Sequence, residues 1–195
     1  MLKRAFDIFL SIIGLIISFP LWIFLSIAVI MEGGRPIFIR QKRIGRGGNI
    51  FRILKFRTMD KDAHTELPTE HSSGADDRVT FLGNLLRVTA MDELPQLISI
   101  LMGDMSFVGP RPVHPLEIYI TGSRYKKLED VPGFKKRCSI KPGLTGLAQV
   151  YATKVMCIEK KIKYDILYIK KQSFLLDIKL ILLSFLVTFH GKWEI

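Results

Sequence analysis

The 24 residues from Ile8 to Met31 carry no charge and are mostly Ile, Leu, Phe and Val. As a straight helix they reach about 36 Å, against a bilayer hydrocarbon core of about 30 Å, so the length permits a crossing. Pro20 stands near the middle, where its ring removes a helix hydrogen bond and crowds the preceding turn, which predicts a kink or a break. Two paths fit: a helix–break–helix hairpin that leaves on the side it entered, or a single Pro-kinked span. The flanking cations favour the hairpin. Lys3 and Arg4 precede the segment and Arg35, Arg40, Lys42, Arg43 and Arg46 follow it, so both ends carry the positive mark of the cytoplasmic side. A cleaved signal peptide fits poorly, because the apolar run is too long and Glu32-Gly33-Gly34-Arg35 is no small-residue cleavage site.

The pattern then changes. Pro36–Arg40 and Ile50–Phe56 are short β-favouring runs separated by Gly45-Arg46-Gly47-Gly48-Asn49, which predicts a β-hairpin. The glycines read as its turn rather than as a phosphate cradle, since no strand-to-helix context surrounds them. Residues 60–77 are polar and predict a mobile loop, either a lid or surface decoration. Leu94, Leu97, Ile98 and Leu101 recur at helical spacing, with Gly103 as the stop. Thr89 or Asp92 could cap this helix. Asp92 is preferred, because Pro95 then falls at the third helical position, where no N–H is needed. The last apolar segment, Ser173–Trp193, contains Asp177 and Lys179. Those charges cost about 2.5–3.5 kcal/mol each at a bilayer centre and roughly cancel the gain from its apolar residues. It reads as an amphipathic helix, either packed on the core or lying in the membrane interface with Trp193 near the headgroups.

Composition narrows the class. Of 195 residues, 48% are hydrophobic, and 29 Lys and Arg against 18 Asp and Glu give a net charge of +11. A disordered basic tail would lack the apolar content. A nucleic-acid binder would not need the greasy N-terminus, and the cations do not alternate with stacking aromatics. A membrane surface satisfies both halves of the composition. Cys138 and Cys157 form no CxxC pair, and the four histidines are scattered, so neither a disulfide framework nor a zinc site is expected.

The candidate chemistry is anionic. With Asp92 as cap, Asp92 and Glu93 stand at a helix start, where free N–H groups favour anions. Arg111 lies between Pro110 and Pro112, which restrict how its planar fork points, and such a fork suits two phosphate oxygens. Lys141 heads a second turn, Lys141-Pro142-Gly143-Leu144-Thr145-Gly146. A phosphate and a carboxylate pair can share such a site only if cations or a divalent ion offset their repulsion.

Five blocks follow one another in order: Lys55-Phe56-Arg57-Thr58-Met59, Asp77-Arg78-Val79-Thr80, Asp92-Glu93-Leu94-Pro95-Gln96-Leu97, Gly103 to Pro112, and Lys141 to Val150. Together with Tyr164-Asp165 and Ser173 to Asp177, they resemble the bacterial sugar transferases, the monotopic phosphoglycosyl transferases, over nearly the whole chain and in that family's minimal form. The resemblance implies transfer of a sugar-1-phosphate from a UDP-sugar to a polyprenyl phosphate, usually undecaprenyl phosphate, releasing UMP and beginning lipid-linked glycan assembly. It implies Asp92 as nucleophile through a phosphosugar-enzyme intermediate, Glu93 as its partner acid, and Mg²⁺ held by Asp92 and Glu93. Lys55, Arg57, Arg87, Arg111, Lys141 and Gln149 are the implied substrate-binding residues. The chain departs from the family pattern at Phe19, where Ser often precedes the proline, at Lys141, where Arg is frequent, and over Ala152-Thr153-Lys154, where Gly-Arg is frequent.

Residues and resemblance together predict a mainly helical α+β chain. Residues 1–34 form a re-entrant membrane segment, and residues 35–195 form a small cytosolic catalytic domain with a short β-hairpin and interfacial amphipathic helices. The expected location is the cytoplasmic face of the bacterial inner membrane. The alternative is a catalytically silent membrane-surface adaptor that binds anionic lipids. Which sugar is carried, which glycan is built and the oligomeric state are not legible.

Overall fold

The computed structural model describes residues 2–61, 77–116, 125–152 and 156–189. Residues 62–76 of the predicted loop, Thr153, Lys154 and Trp193 lie outside the described residues.

Helix α1 (Leu2–Gly33) runs for 32 residues with Pro20 inside it. The expected break is therefore absent, and the two predicted halves form one helical element. A proline removes one hydrogen bond, whereas both halves of α1 are fixed to the same body, so the helix continues through it. At its start, Lys3 Nζ pairs with Asp177 at 2.6 Å, and Arg4 donates to the carbonyls of Ile100 and Leu101. Buried Asp7 accepts from Ser106 Oγ and from the Phe107 N–H, each at 3.1 Å. At its end, Trp22, Leu25 and Val29 pack with Phe38, Phe56 and Leu86, and Glu32 accepts from the Leu82 N–H. Among the described residues α1 is the one helix long and apolar enough to cross a membrane.

The hairpin forms as predicted. Strands β1 (Phe38–Ile44) and β2 (Ile50–Phe56) pair antiparallel from Phe38↔Phe56 to Ile44↔Ile50. Gly47 and Gly48, both at positive φ, make the turn between them, a conformation that a Cβ would strain. Helix α2 (Phe81–Val88) is capped by Thr80, whose hydroxyl accepts from the Gly83 N–H.

The next helix begins later than expected. Ala90 is left-handed, Met91–Glu93 form a 3-10 turn, and α3 runs from Gln96 to Met102 with Pro95 before its first residue. Asp92 is therefore not the cap. The left-handed Ala90 turns the chain before the helix starts, so Asp92 and Glu93 precede the helix instead of opening it. Gly103 ends α3 at φ 99°, as predicted.

The sequence reading missed a second ladder. Strand β3 (Ser106–Val108) and, beyond the one-turn helix α4 (Phe134–Arg137), strand β4 (Gly143–Thr145) pair in parallel. Helices α5 (Leu147–Tyr151), α6 (Ile158–Lys171) and α7 (Phe174–Phe189) complete the described elements. α6 buries Ile158, Ile162, Asp165 and Tyr168 on one face and keeps Lys160, Lys163 and Lys171 off it.

Of the two readings of the C-terminal segment, packing on the core holds in part. α7 buries Asp177 and Leu180 in the core while Leu175, Leu182, Phe185 and Leu186 stay exposed. The body is thus mostly helical, with two small ladders crossing its centre. The apolar residues of α1 and α7 that face outward, among them Ile16, Ile17, Phe24, Leu182 and Phe185, are exposed among the described residues.

Candidate active site

The dyad is assembled by three local structures. Alternation along β2 turns Ile53 and Lys55 toward the same side. The left-handed Ala90 presents the 3-10 turn that carries Asp92 and Glu93. The β3–β4 ladder launches Pro110-Arg111-Pro112 over them. Here Gly109 N–H donates to the Thr145 carbonyl and Gly143 N–H to the Pro110 carbonyl. A Cβ on Gly109 would press on the Lys141 carbonyl and one on Gly143 on the Gly109 amide, so the crossing requires glycine at both positions.

Lys55 Nζ lies 2.6 Å from Glu93 Oε1 and 3.3 Å from Asp92 Oδ2. Arg111 Nη2 reaches the same Glu93 oxygen at 3.2 Å, with 55% of its side chain exposed. A cleft beside the dyad is lined by Arg43, Ile53, Lys55, Glu93, Gln96, Arg111, Pro112, Gly143 and Leu144. Burial pushes the Asp92 carboxyl above the usual carboxylate range and the Glu93 charge adds to this, with Lys55 opposing. Burial also pushes Glu93 up, but the charges of Lys55 and Arg111, with their hydrogen bonds, outweigh it and hold Glu93 at about 2. The pair therefore has two distinct members. Glu93 is clamped as an anion by two cations. Asp92 is buried and more loosely held.

Of the predicted site residues, the structure brings together Lys55, Asp92, Glu93 and Arg111. Arg87, in the last turn of α2, donates from Nε to Thr58 Oγ1 at 2.9 Å. Arg57 is buried and donates to the carbonyls of Val29 and Gly34 at the end of α1. Lys141 points elsewhere: a Cβ on Gly103 would lie 3.3 Å from Lys141 Nζ and 3.2 Å from Arg4 Nη2. That point is at the far end of α3, about 10 Å of helix from the dyad end. Gln149 is buried, and neither its amide oxygen nor its nitrogen has a partner among the described residues. It packs against Gly146, where the backbone crosses Gly109.

Three residues at the site were missed. Arg43 and Gln96 line the cleft, and Arg137 donates to the Arg111 carbonyl. The alternation of β1 could have found Arg43, which shares a strand face with the partners of Ile53 and Lys55. Arg137 sits in a Lys-Lys-Arg run that looks like a solvated face.

The donor set can be tested for a divalent ion. Among the described residues no three His, Cys, Asp or Glu side chains converge, so the dyad is the available pair. Lys55 and Arg111 occupy Glu93 Oε1 and Asp92 Oδ2. Asp92 Oδ1 and Glu93 Oε2 make no hydrogen bond or ion pair among the described residues. Two hard carboxylate oxygens would suit a Mg²⁺ that keeps several waters, and not an all-protein cage.

Comparisons with known proteins converge on one kind of relative. The family described as bacterial sugar transferase matches residues 1–191. The chain is 35% identical to the UDP-glucose:undecaprenyl-phosphate glucose-1-phosphate transferase of Escherichia coli (strain K12), over 98% of this chain and 41% of that protein. It is 37% identical to the undecaprenyl-phosphate galactose phosphotransferase of Salmonella typhimurium, over 92% of this chain and 39% of that protein. It is 34% identical to the exopolysaccharide production protein PSS of Rhizobium leguminosarum bv. phaseoli, over 92% of this chain and 91% of that protein. The chain spans less than half the length of the first two relatives and most of the third.

Proposed function

The chain belongs to the bacterial sugar transferase family, and on that premise we propose that it transfers a sugar-1-phosphate from a UDP-sugar to undecaprenyl phosphate, releasing UMP. The relatives named as undecaprenyl-phosphate sugar phosphotransferases support the substrates. The single observation that carries the reading is the dyad: two adjacent carboxylates clamped by Lys55 and Arg111 at a cleft, each with one oxygen left over.

Asp92 is the nucleophile. Its spare oxygen attacks the phosphorus that bears the sugar, the bond from that phosphorus to the UMP oxygen breaks, and UMP leaves with the electron pair. The phosphate of the lipid then attacks the same phosphorus, the aspartyl–phosphorus bond breaks, and the Asp92 carboxylate is restored with the polyprenyl-diphosphate sugar formed. A carboxylate meets an anionic diphosphate only against repulsion, so Lys55 and Arg111 supply the charge that lowers that barrier. Asp92 and Glu93 would hold Mg²⁺, which adds positive charge against the departing UMP. Glu93, held at about 2 by its two cations, stays ionised throughout and acts as the fixed half of the pair.

The reaction takes place at the cytoplasmic face of the bacterial inner membrane. The exposed apolar residues of α1 and α7, among them Ile16, Ile17, Phe24, Leu182 and Phe185, support burial in lipid. A spanning helix separates its two ends by the bilayer. α1 is tied to one body at both ends by Asp7 and by Val29, which supports a helix whose two ends stay on one face of the membrane.

The test is a panel of UDP-sugars with Mg²⁺ and undecaprenyl phosphate, read as UMP. Release that requires Asp92 is expected. UMP no greater than in an enzyme-free control, across a broad panel, would leave the silent adaptor as the better account.

A further inference from the structure

Behind the cleft, one helix grips the segment that carries Arg111. Asp165 and Tyr168 lie one turn apart on α6, and both are buried. Tyr168 donates its hydroxyl proton to Asp177, with the Val108 carbonyl of β3 3.3 Å away. Asp165 accepts from Arg137 Nε at 2.8 Å, and Arg137 Nη2 donates to the Arg111 carbonyl at 2.6 Å. The side chains of Arg137 and Asp165 are 5% and 3% exposed.

A buried ion pair adds little net stability, and apolar residues of the same volume often do as well. This one has an exit. A second donor of Arg137, Nη2, is spent on the backbone of the residue whose side chain clamps Glu93. Pro110 and Pro112 flank Arg111 and offer no N–H; the β4 backbone holds the loop at the Pro110 carbonyl, and Arg137 holds it at the Arg111 carbonyl. We infer that Arg137 and Asp165 are positioning residues: they set the height and direction from which Arg111 meets Glu93 and the donor diphosphate. The inference rests on the transferase reading for its kinetic consequence, but not for its structural one.

The experiment uses the full chain in detergent and measures UMP release against UDP-sugar at saturating undecaprenyl phosphate. Asp165→Asn is expected to raise KM for the donor about tenfold with kcat within about threefold, since a displaced Arg111 weakens donor binding while Lys55 keeps its charge at the dyad. Because Arg137 and Asp165 act through Arg111, the double variant Asp165→Asn with Arg111→Ala should be no worse than Arg111→Ala alone. A merely structural pair would instead multiply the two losses. An unchanged KM in folded Asp165→Asn, or multiplied losses, overturns the inference. If Asp165→Asn does not fold, Arg137→Lys takes its place in the same comparison: it keeps a cation for Asp165 but has no second arm for the Arg111 carbonyl. Hydrogen exchange gives a readout independent of activity. The Gly109 amide, which donates to the Thr145 carbonyl, should exchange at least about tenfold faster in the variant, with α3 unchanged. A wild type that releases no UMP from any donor would sink the transferase reading and leave this result standing. Equal exchange would sink the positioning role even in an active enzyme.

Discussion

Two clusters of buried charge can be set side by side. In one, Asp177 gives Oδ2 to Lys3 and Oδ1 to the Tyr168 hydroxyl, each at 2.6 Å. Both oxygens are spent, and the cluster joins the first turn of α1 to α6 and α7. In the other, Glu93 gives one oxygen to both Lys55 and Arg111, Asp92 gives one to Lys55, and each keeps an oxygen in reserve. Asp177 is the more deeply buried, with 4% of its side chain exposed against 10% for Asp92 and 15% for Glu93. The larger difference is satisfaction: among the described residues both oxygens of Asp177 are taken, whereas Asp92 and Glu93 each keep one oxygen without a partner, and Glu93 lines the cleft. A fully partnered carboxylate holds structure, and a half-partnered one can do chemistry.

That contrast separates activity from stability in mutants. The largest effect is expected at the dyad. Asp92→Asn should lower UMP release by at least about a thousandfold, measured on protein that still binds membranes and unfolds cooperatively. An active Asp92→Asn enzyme would erase the distinction between the clusters. The reverse is expected at the satisfied one. Asp177→Ala leaves the Lys3 ammonium and the Tyr168 hydroxyl without their acceptor, so it should cost about 3 kcal/mol of stability in thermal or denaturant unfolding. Its remaining activity should track the folded fraction.

Some of this was legible in residues alone. The hairpin was, because alternating β-favouring runs around a Gly-rich turn leave few other pairings, and so was the stop at Gly103. Asp92, Glu93, Lys55 and Arg111 were named from ordered motifs. The start of α3 was not legible: it depends on Ala90 adopting a left-handed conformation, which nothing in an alanine announces. The choice between a broken and a continuous α1 at Pro20 was also not legible, since the contacts that hold its two halves come from residues up to 174 positions away. Lys141 and Arg57 are substrate-binding residues by the resemblance; their placement was not legible, with Lys141 Nζ near Gly103 at the end of α3 and Arg57 donating to carbonyls at the end of α1. The Arg137–Asp165 pair joins residues 28 apart across a fold with no local signal.

Smaller effects sharpen the comparison further. Burial raises the Asp92 carboxyl above its ordinary value, so its ionised form costs stability at neutral pH. That cost disappears as the pH falls below the raised value and the group is protonated. Asp92→Asn should therefore be more stable than the wild type at pH 7, and its advantage should shrink on acidification, as followed by unfolding temperature. Glu93 has the opposite sign: its lowered value contributes stability above the ordinary carboxylate range, lost as the pH falls toward about 2. Glu93→Gln should accordingly be less stable than the wild type at pH 7. The smallest expected change is at Ala90, at φ 55°. Ala90→Gly should gain about 0.5–1 kcal/mol, because glycine holds that conformation without strain.

The central claim concerns the spare oxygen of Asp92, and intact-mass and peptide mass spectrometry of protein incubated with UDP-sugar and Mg²⁺, with no lipid acceptor added, tests it most directly. A sugar-phosphate adduct on the peptide containing Asp92, removed when undecaprenyl phosphate is added, is the predicted result. Sustained UMP release with no adduct at that residue would contradict it.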